Sequence, residues 1–126
     1  MTARILRAVS HPLVNTLNHP HGRLLGFRAS YAVDMPRVIA RAAEVGCAME
    51  VSADPARMDL DGGWARRVRK AGGRCTISSD AHSTLDFDNM WLAIGSARRG
   101  WLEPHHVLNT RPLDELRALL RSRSRG

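Results

Sequence analysis

The chain has 126 residues, 44% hydrophobic and 25% charged, which excludes a disordered or fibrous polypeptide and sets a single domain with a core of its own. No apolar run approaches the ~20 residues that span a bilayer, and Met1-Thr2-Ala3-Arg4-Ile5-Leu6 lacks the long apolar stretch of a signal peptide, so a cytoplasmic protein with no membrane partner is expected. A net charge of +7, in arginine rather than lysine, favours polyanions such as nucleic acid, although arginine-rich composition is equally a genome-wide bias and narrows the partner little.

In chain order, the apolar run Leu13–Leu17 reads as a strand that stops at Asn18-His19-Pro20-His21-Gly22, where proline and glycine break regular structure. Met35, Val38, Ile39, Ala42 and Ala43 then form one helical stripe, with Asp34 as N-cap, Pro36 in the first turn and Gly46 closing the helix. Residues 47–52 read as a second strand, stopped by Asp54-Pro55. A helix over about 63–71 ends at Gly72-Gly73, and Arg74–Ser79 is a third strand with a β-branched centre. Cys47 and Cys75, at the starts of two strands, suit buried free thiols better than a disulfide or a zinc clip.

Phe87, Met90, Trp91 and Ile94 predict a further apolar helix stripe ending near Gly100, and Trp64, Trp91 and Trp101 are placed as packing residues rather than as a stacking platform. Asn109-Thr110-Arg111-Pro112 reads as a capping sequence for a last helix with Leu113, Leu116 and Leu120 on one face, and residues 121–126 as a frayed basic tail after a domain of residues 1–120. Strands alternating with helices imply parallel pairing, since a crossover helix returns the chain to the same edge. In such α/β folds the chemistry gathers at the carboxyl ends of the strands.

Three candidate ligands fall at that rim. Asp80 and His82 sit two apart just beyond the third strand, and an extended backbone would project both side chains to one side, an oxygen and an imidazole for a divalent cation. His19 follows the first strand and is fixed by Pro20. Each alone has a plainer reading, a capping Asp or a hydrogen-bonded His; the recurrence at one rim is what points to a site. Glu50, inside an apolar strand, must face a cation, a hydrogen-bond network or the barrel interior. His21 is expected to support the site from behind or to be exposed, and Arg23 to hold a phosphate or lie in solvent. His105 and His106, beside Pro104, read as surface residues.

Read together, these segments resemble the PHP (polymerase and histidinol phosphatase) superfamily, in particular the PHP domain of bacterial family X DNA polymerases. His19-Pro20-His21-Gly22-Arg23-Leu24-Leu25-Gly26 is similar to that group's His-Pro-Thr-Gly-Arg-Leu-Leu-Gly loop. Glu50-Val51-Ser52-Ala53-Asp54-Pro55-Ala56-Arg57-Met58-Asp59-Leu60 resembles its Glu-Ile-Asn-Ala-Asn-Pro-x-Arg-Leu-Asp-Leu segment, and Ser79-Asp80-Ala81-His82-Ser83 matches Ser-Asp-Ala-His-Ser. Ala97–Leu102 and Val107–Pro112 match the group's C-terminal end.

The resemblance implies an α/β fold that is the C-terminal portion of a distorted TIM-like barrel. It also implies zinc or manganese bound at His19, Asp80 and His82, and phosphoester hydrolysis, of DNA ends in 3′-5′ exonuclease fashion or of a small phosphoester such as histidinol phosphate. The family's N-terminal His-x-His ligands have no counterpart here, and Asn15, His21 and Asp54 replace the usual Asp, Thr and Asn. A complete three-metal centre is therefore expected to need a complementary N-terminal PHP segment or a homodimer. The alternative is a catalytically inactive remnant that serves as a basic DNA-binding or structural partner.

Overall fold

A computed structural model describes residues 1–124, with side chains described through Leu120. The chain opens with an unpredicted helix, α1 (Thr2–Ser10), whose Ile5 and Val9, four apart, are buried against α2 (Met35–Val45). Between them, β1 is only Thr16–Leu17, shorter than the expected strand, because His11–Val14 closes into a turn and leaves Leu13 70% exposed. Helix α2 is capped as its sequence requires: the Asp34 carboxylate accepts from the Arg37 N–H, Pro36 lies in the first turn, and Gly46 takes the left-handed conformation at φ 73°.

The following elements are β2 (Ala48–Ser52), α3 (Gly62–Lys70), β3 (Cys75–Ser78), α4 (Met90–Arg99) and α5 (Leu113–Ser124). The three strands form a parallel sheet in the order β1-β2-β3, with Thr16 level with Ala48 and Met49 level with Cys75. Every residue of β2 is buried on both faces, as a central parallel strand requires, and Met49, Val51, Val38, Val68 and Leu60 centre the core. Cys47 and Cys75 are both buried, and burial pushes the Cys75 thiol up to about 12, the behaviour of an inert packing thiol. Among the described residues no helix is long and apolar enough to cross a membrane.

Three expectations are corrected. Of the Phe87–Ile94 stripe only Met90 packs against the core: Thr84–Asn89 is a 3₁₀ turn, and Phe87, Trp91 and Ile94 are 61%, 68% and 47% exposed while Ala93, Ser96 and Ala97 are buried. The cause is the close approach of α3 and α4, where a Cβ on Gly62 would stand 2.6 Å from the Arg99 Cβ; only small side chains fit, so the large ones turn outward. Trp101, too, is 65% exposed rather than packed, with the Arg66 guanidinium 5.9 Å from its ring. Asn109 is not a helix cap. Its amide accepts from the Ile77 N–H at 3.0 Å and donates to the Ile77 carbonyl at 2.7 Å, imitating a neighbouring strand along the outer edge of β3. Helix α5 runs to Ser124, four residues into the stretch read as a tail, and Arg125 and Gly126 lie outside the described residues.

Candidate functional site

The carboxyl ends of the three strands deliver three loops to one rim, and two buried carboxylates tie them together. Glu50, in the middle of β2 and 2% exposed, accepts the His19 N–H on Oε2 at 2.8 Å and the Ser78 hydroxyl on Oε1. It thereby couples the loop after β1 to β3. Asp59, fully buried in the loop after β2, accepts the His21 N–H on Oδ2 at 2.9 Å. The segment 19–21 thus hangs by two backbone N–H groups from two carboxylates, and the Tyr31 hydroxyl donates to the Pro20 carbonyl at 2.8 Å. Burial first, and then the charge of Asp59, raise the Tyr31 phenol above its ordinary range.

This hanging holds His19 at φ 47°, in the left-handed region that a non-glycine residue enters only when its surroundings dictate it. Asp80, across the rim, sits at φ 53°. The two side chains meet: His19 Nε2 lies 3.3 Å from Asp80 Oδ2. The other ring nitrogen, Nδ1, lies 3.4 Å from Glu50 Oε2 and 3.9 Å from Asp59 Oδ1.

His82 is not brought to this pair. Because Asp80 is left-handed rather than extended, residues 80 and 82 do not project in parallel; the His82 Nδ1 closes onto the Asp80 carbonyl at 2.7 Å and the residue is exposed. Its backbone N–H and that of Ser83 are gathered by Asp86 Oδ2 at 2.9 and 2.7 Å, bonds that hold the Asp86 carboxyl below its usual range. The hydrogen bonds of the His82 end of this loop thus close within the loop itself.

His21, for which a supporting or an exposed place was open, is buried at 7% exposure beside the Trp64 ring, and desolvation lowers it from its ordinary value of 6.5. Arg23 faces its own scaffold rather than open space for a phosphate: Nε donates to the Arg57 carbonyl at 2.8 Å and Nη2 to that of Met58. The arginine at the rim is Arg57, with Nε 3.2 Å from Asp54 Oδ2 and 3.9 Å from Asp80 Oδ2. Arg57 and Asp59 are the rim residues the sequence reading passed over. Both stand in the segment that carried the family likeness, read there only as a loop.

The arrangement has an electrostatic peculiarity. A neutral imidazole has one N–H to donate, yet both ring nitrogens of His19 face carboxylate oxygens, and His19 Nδ1 and Asp59 Oδ1 are buried without a hydrogen-bond partner. Three acids, Glu50, Asp59 and Asp80, surround the ring, with Arg57 at the edge. The cluster is satisfied by an imidazolium or by a cation on the Nε2 side. The 3.3 Å separation of His19 Nε2 and Asp80 Oδ2 matches the edge between two tetrahedral ligands, each about 2.0–2.1 Å from one ion. The fit extends to two donors only: among the described residues no group of three or more His, Cys, Asp or Glu is arranged to hold a metal.

No family model matches the chain. Over 118 residues, 94% of its length, it is 36% identical to a Bacillus subtilis (strain 168) protein named DNA polymerase/3'-5' exonuclease PolX, of which it spans 21%. Over 122 residues, covering 88% of the chain and 45% of the relative, it is 30% identical to a probable phosphatase of Edwardsiella ictaluri (strain 93-146). The chain is thus similar, over most of its length, to part of a DNA polymerase/exonuclease and to part of a phosphatase, and it spans less than half of either.

Proposed function

We propose that this rim is part of a PHP-type, metal-dependent phosphoesterase site acting on DNA ends, with His19 and Asp80 as metal ligands. The observation that carries the reading is the ring of His19 facing carboxylate oxygens from both nitrogens, an arrangement short of positive charge. Likeness to a protein named as a polymerase and 3'-5' exonuclease supports DNA as substrate, as does the net charge of +7. Likeness to a probable phosphatase supports the chemistry and keeps a small phosphoester as the alternative substrate.

A bound zinc or manganese ion supplies Lewis-acid polarisation of a phosphoryl oxygen and acidifies a bound water. The chain's own residues do the rest. His19 offers Nε2, and Asp80 offers Oδ2 beside it. Arg57, a guanidinium at the same rim, offsets charge on the phosphoryl oxygens. Glu50 and Asp59 hold the His19 loop so that the pair does not have to be assembled when substrate arrives. His82, expected as a third ligand, serves only after its loop lets go of the Asp80 carbonyl. The remaining donors come from a complementary N-terminal PHP segment or from a second copy, which would also continue the three-stranded sheet toward a distorted barrel.

The two-donor limit supports a second reading, an inactive remnant that binds DNA through its basic surface. One assay separates them: manganese- or zinc-dependent release from p-nitrophenyl phosphate and from single-stranded DNA, with Asp80→Ala as control. Turnover lost in the control supports the esterase. Turnover no higher than the control, with salt-dependent DNA binding intact, supports the remnant.

A further inference from the structure

The two sides of the His19 ring meet acceptors of different kinds. On the Nδ1 side stand Glu50 Oε2 and Asp59 Oδ1, at 3.4 and 3.9 Å, on side chains 2% and 0% exposed. On the Nε2 side stands Asp80 alone, 27% exposed, where solvent or a cation has access. We propose that Asp59, together with Glu50, is a positioning residue that keeps the single proton of neutral His19 on Nδ1 and so presents the Nε2 lone pair to the opening beside Asp80.

A lone pair at Nδ1 would oppose two anionic oxygens, 3.4 and 3.9 Å away on buried side chains, whereas an N–H there turns its positive end toward both. A lone pair at Nε2 meets only a half-open carboxylate whose partner can be water. The carboxylates cannot turn away to avoid the choice. Glu50 has both oxygens engaged, by the His19 N–H and the Ser78 hydroxyl, and Asp59 has Oδ2 fixed by the His21 N–H, which leaves Oδ1 aimed at the ring. The same two acids therefore hold the backbone of the 19–21 segment and the tautomer of its ring, the arrangement by which a carboxylate behind a histidine orients it for a metal.

In its functional meaning this inference rests on the proposed cation site, but the tautomer of the ring does not require the cation, so the two can fail separately. Long-range proton–nitrogen correlation spectra of the full chain, taken with chelator in alkaline buffer, read the tautomer of His19 directly. The expected spectrum has a protonated Nδ1 and a bare Nε2. Asp59→Asn, isosteric and able to donate, and Glu50→Gln should each move population toward the Nε2–H form. Zinc affinity, measured separately by calorimetry, should fall about 10–100-fold in Asp59→Asn. A wild-type spectrum dominated by Nε2–H would overturn the proposal, whatever the fate of the variants; so would unchanged tautomer populations in a folded Glu50→Gln or Asp59→Asn protein.

Discussion

The loop after β1 and the loop after β3 carry residues that motif reading weighs alike, yet they are built in opposite ways. His19 is wired into the interior: its backbone N–H ends on Glu50, its neighbour's on Asp59, and both acids are buried. His82 is wired to itself, with its ring on the Asp80 carbonyl and its backbone on Asp86 four residues ahead, all of it near the surface. A ligand anchored to the core is pre-positioned; one anchored to its own loop must be released first, at the cost of the bonds it makes there.

That difference is open to attack by substitution. The largest expected effect is on cation binding: His19→Ala should lower zinc or manganese affinity at least about 100-fold, beyond the loss typical of a residue behind a ligand, whereas His82→Ala should change it by less than about 3-fold. Isothermal titration of the two variants measures both. Equal losses would mean that the β3 loop reorganises on binding and that the contrast between the loops is a property of the free protein only.

A smaller effect concerns the interior side of the comparison. His21 is buried and its folded value lies below the ordinary 6.5, so the unfolded chain takes up the proton more readily. The sign follows: the neutral, buried ring contributes fully above pH 6.5, and that contribution is lost as pH falls from 6.5 through the lower folded value. Urea unfolding across this window should show stability decreasing toward acid, and His21→Gln should flatten that slope. Asp86, in the exposed loop, titrates further toward acid, and His82 should be freed there without global unfolding.

Much of the fold is written locally. Asp34, Pro36 and Gly46 bracket α2 by well-understood cap chemistry, and β2 reads as an apolar strand interrupted by Glu50, with both its faces covered. What escaped is non-local. The outward turn of Phe87 and Trp91 depends on how closely α3 and α4 approach, a distance that Gly62 and Gly100 permit together. The use of Asn109 as a strand substitute depends on a neighbour thirty-two positions away.

The site divides in the same manner. His19, Glu50 and Asp80 were legible because each ends or interrupts an apolar strand. Asp59 was not, since a carboxylate in a loop looks solvated until the fold buries it completely. Arg23 is turned inward for the same reason: an arginine's reach is decided by which carbonyls lie within it, and Arg23 finds those of residues 57 and 58.

The central claim is that His19 and Asp80 together receive a divalent cation, and paramagnetic manganese reports on it most directly. Titrated at low stoichiometry into isotope-labelled protein, manganese should broaden the resonances of residues 18–21 and 79–81 first, and Asp80→Ala should abolish that selectivity. Broadening that begins instead at the exposed acids Asp114 and Glu115, or that spreads evenly over the surface, would contradict it.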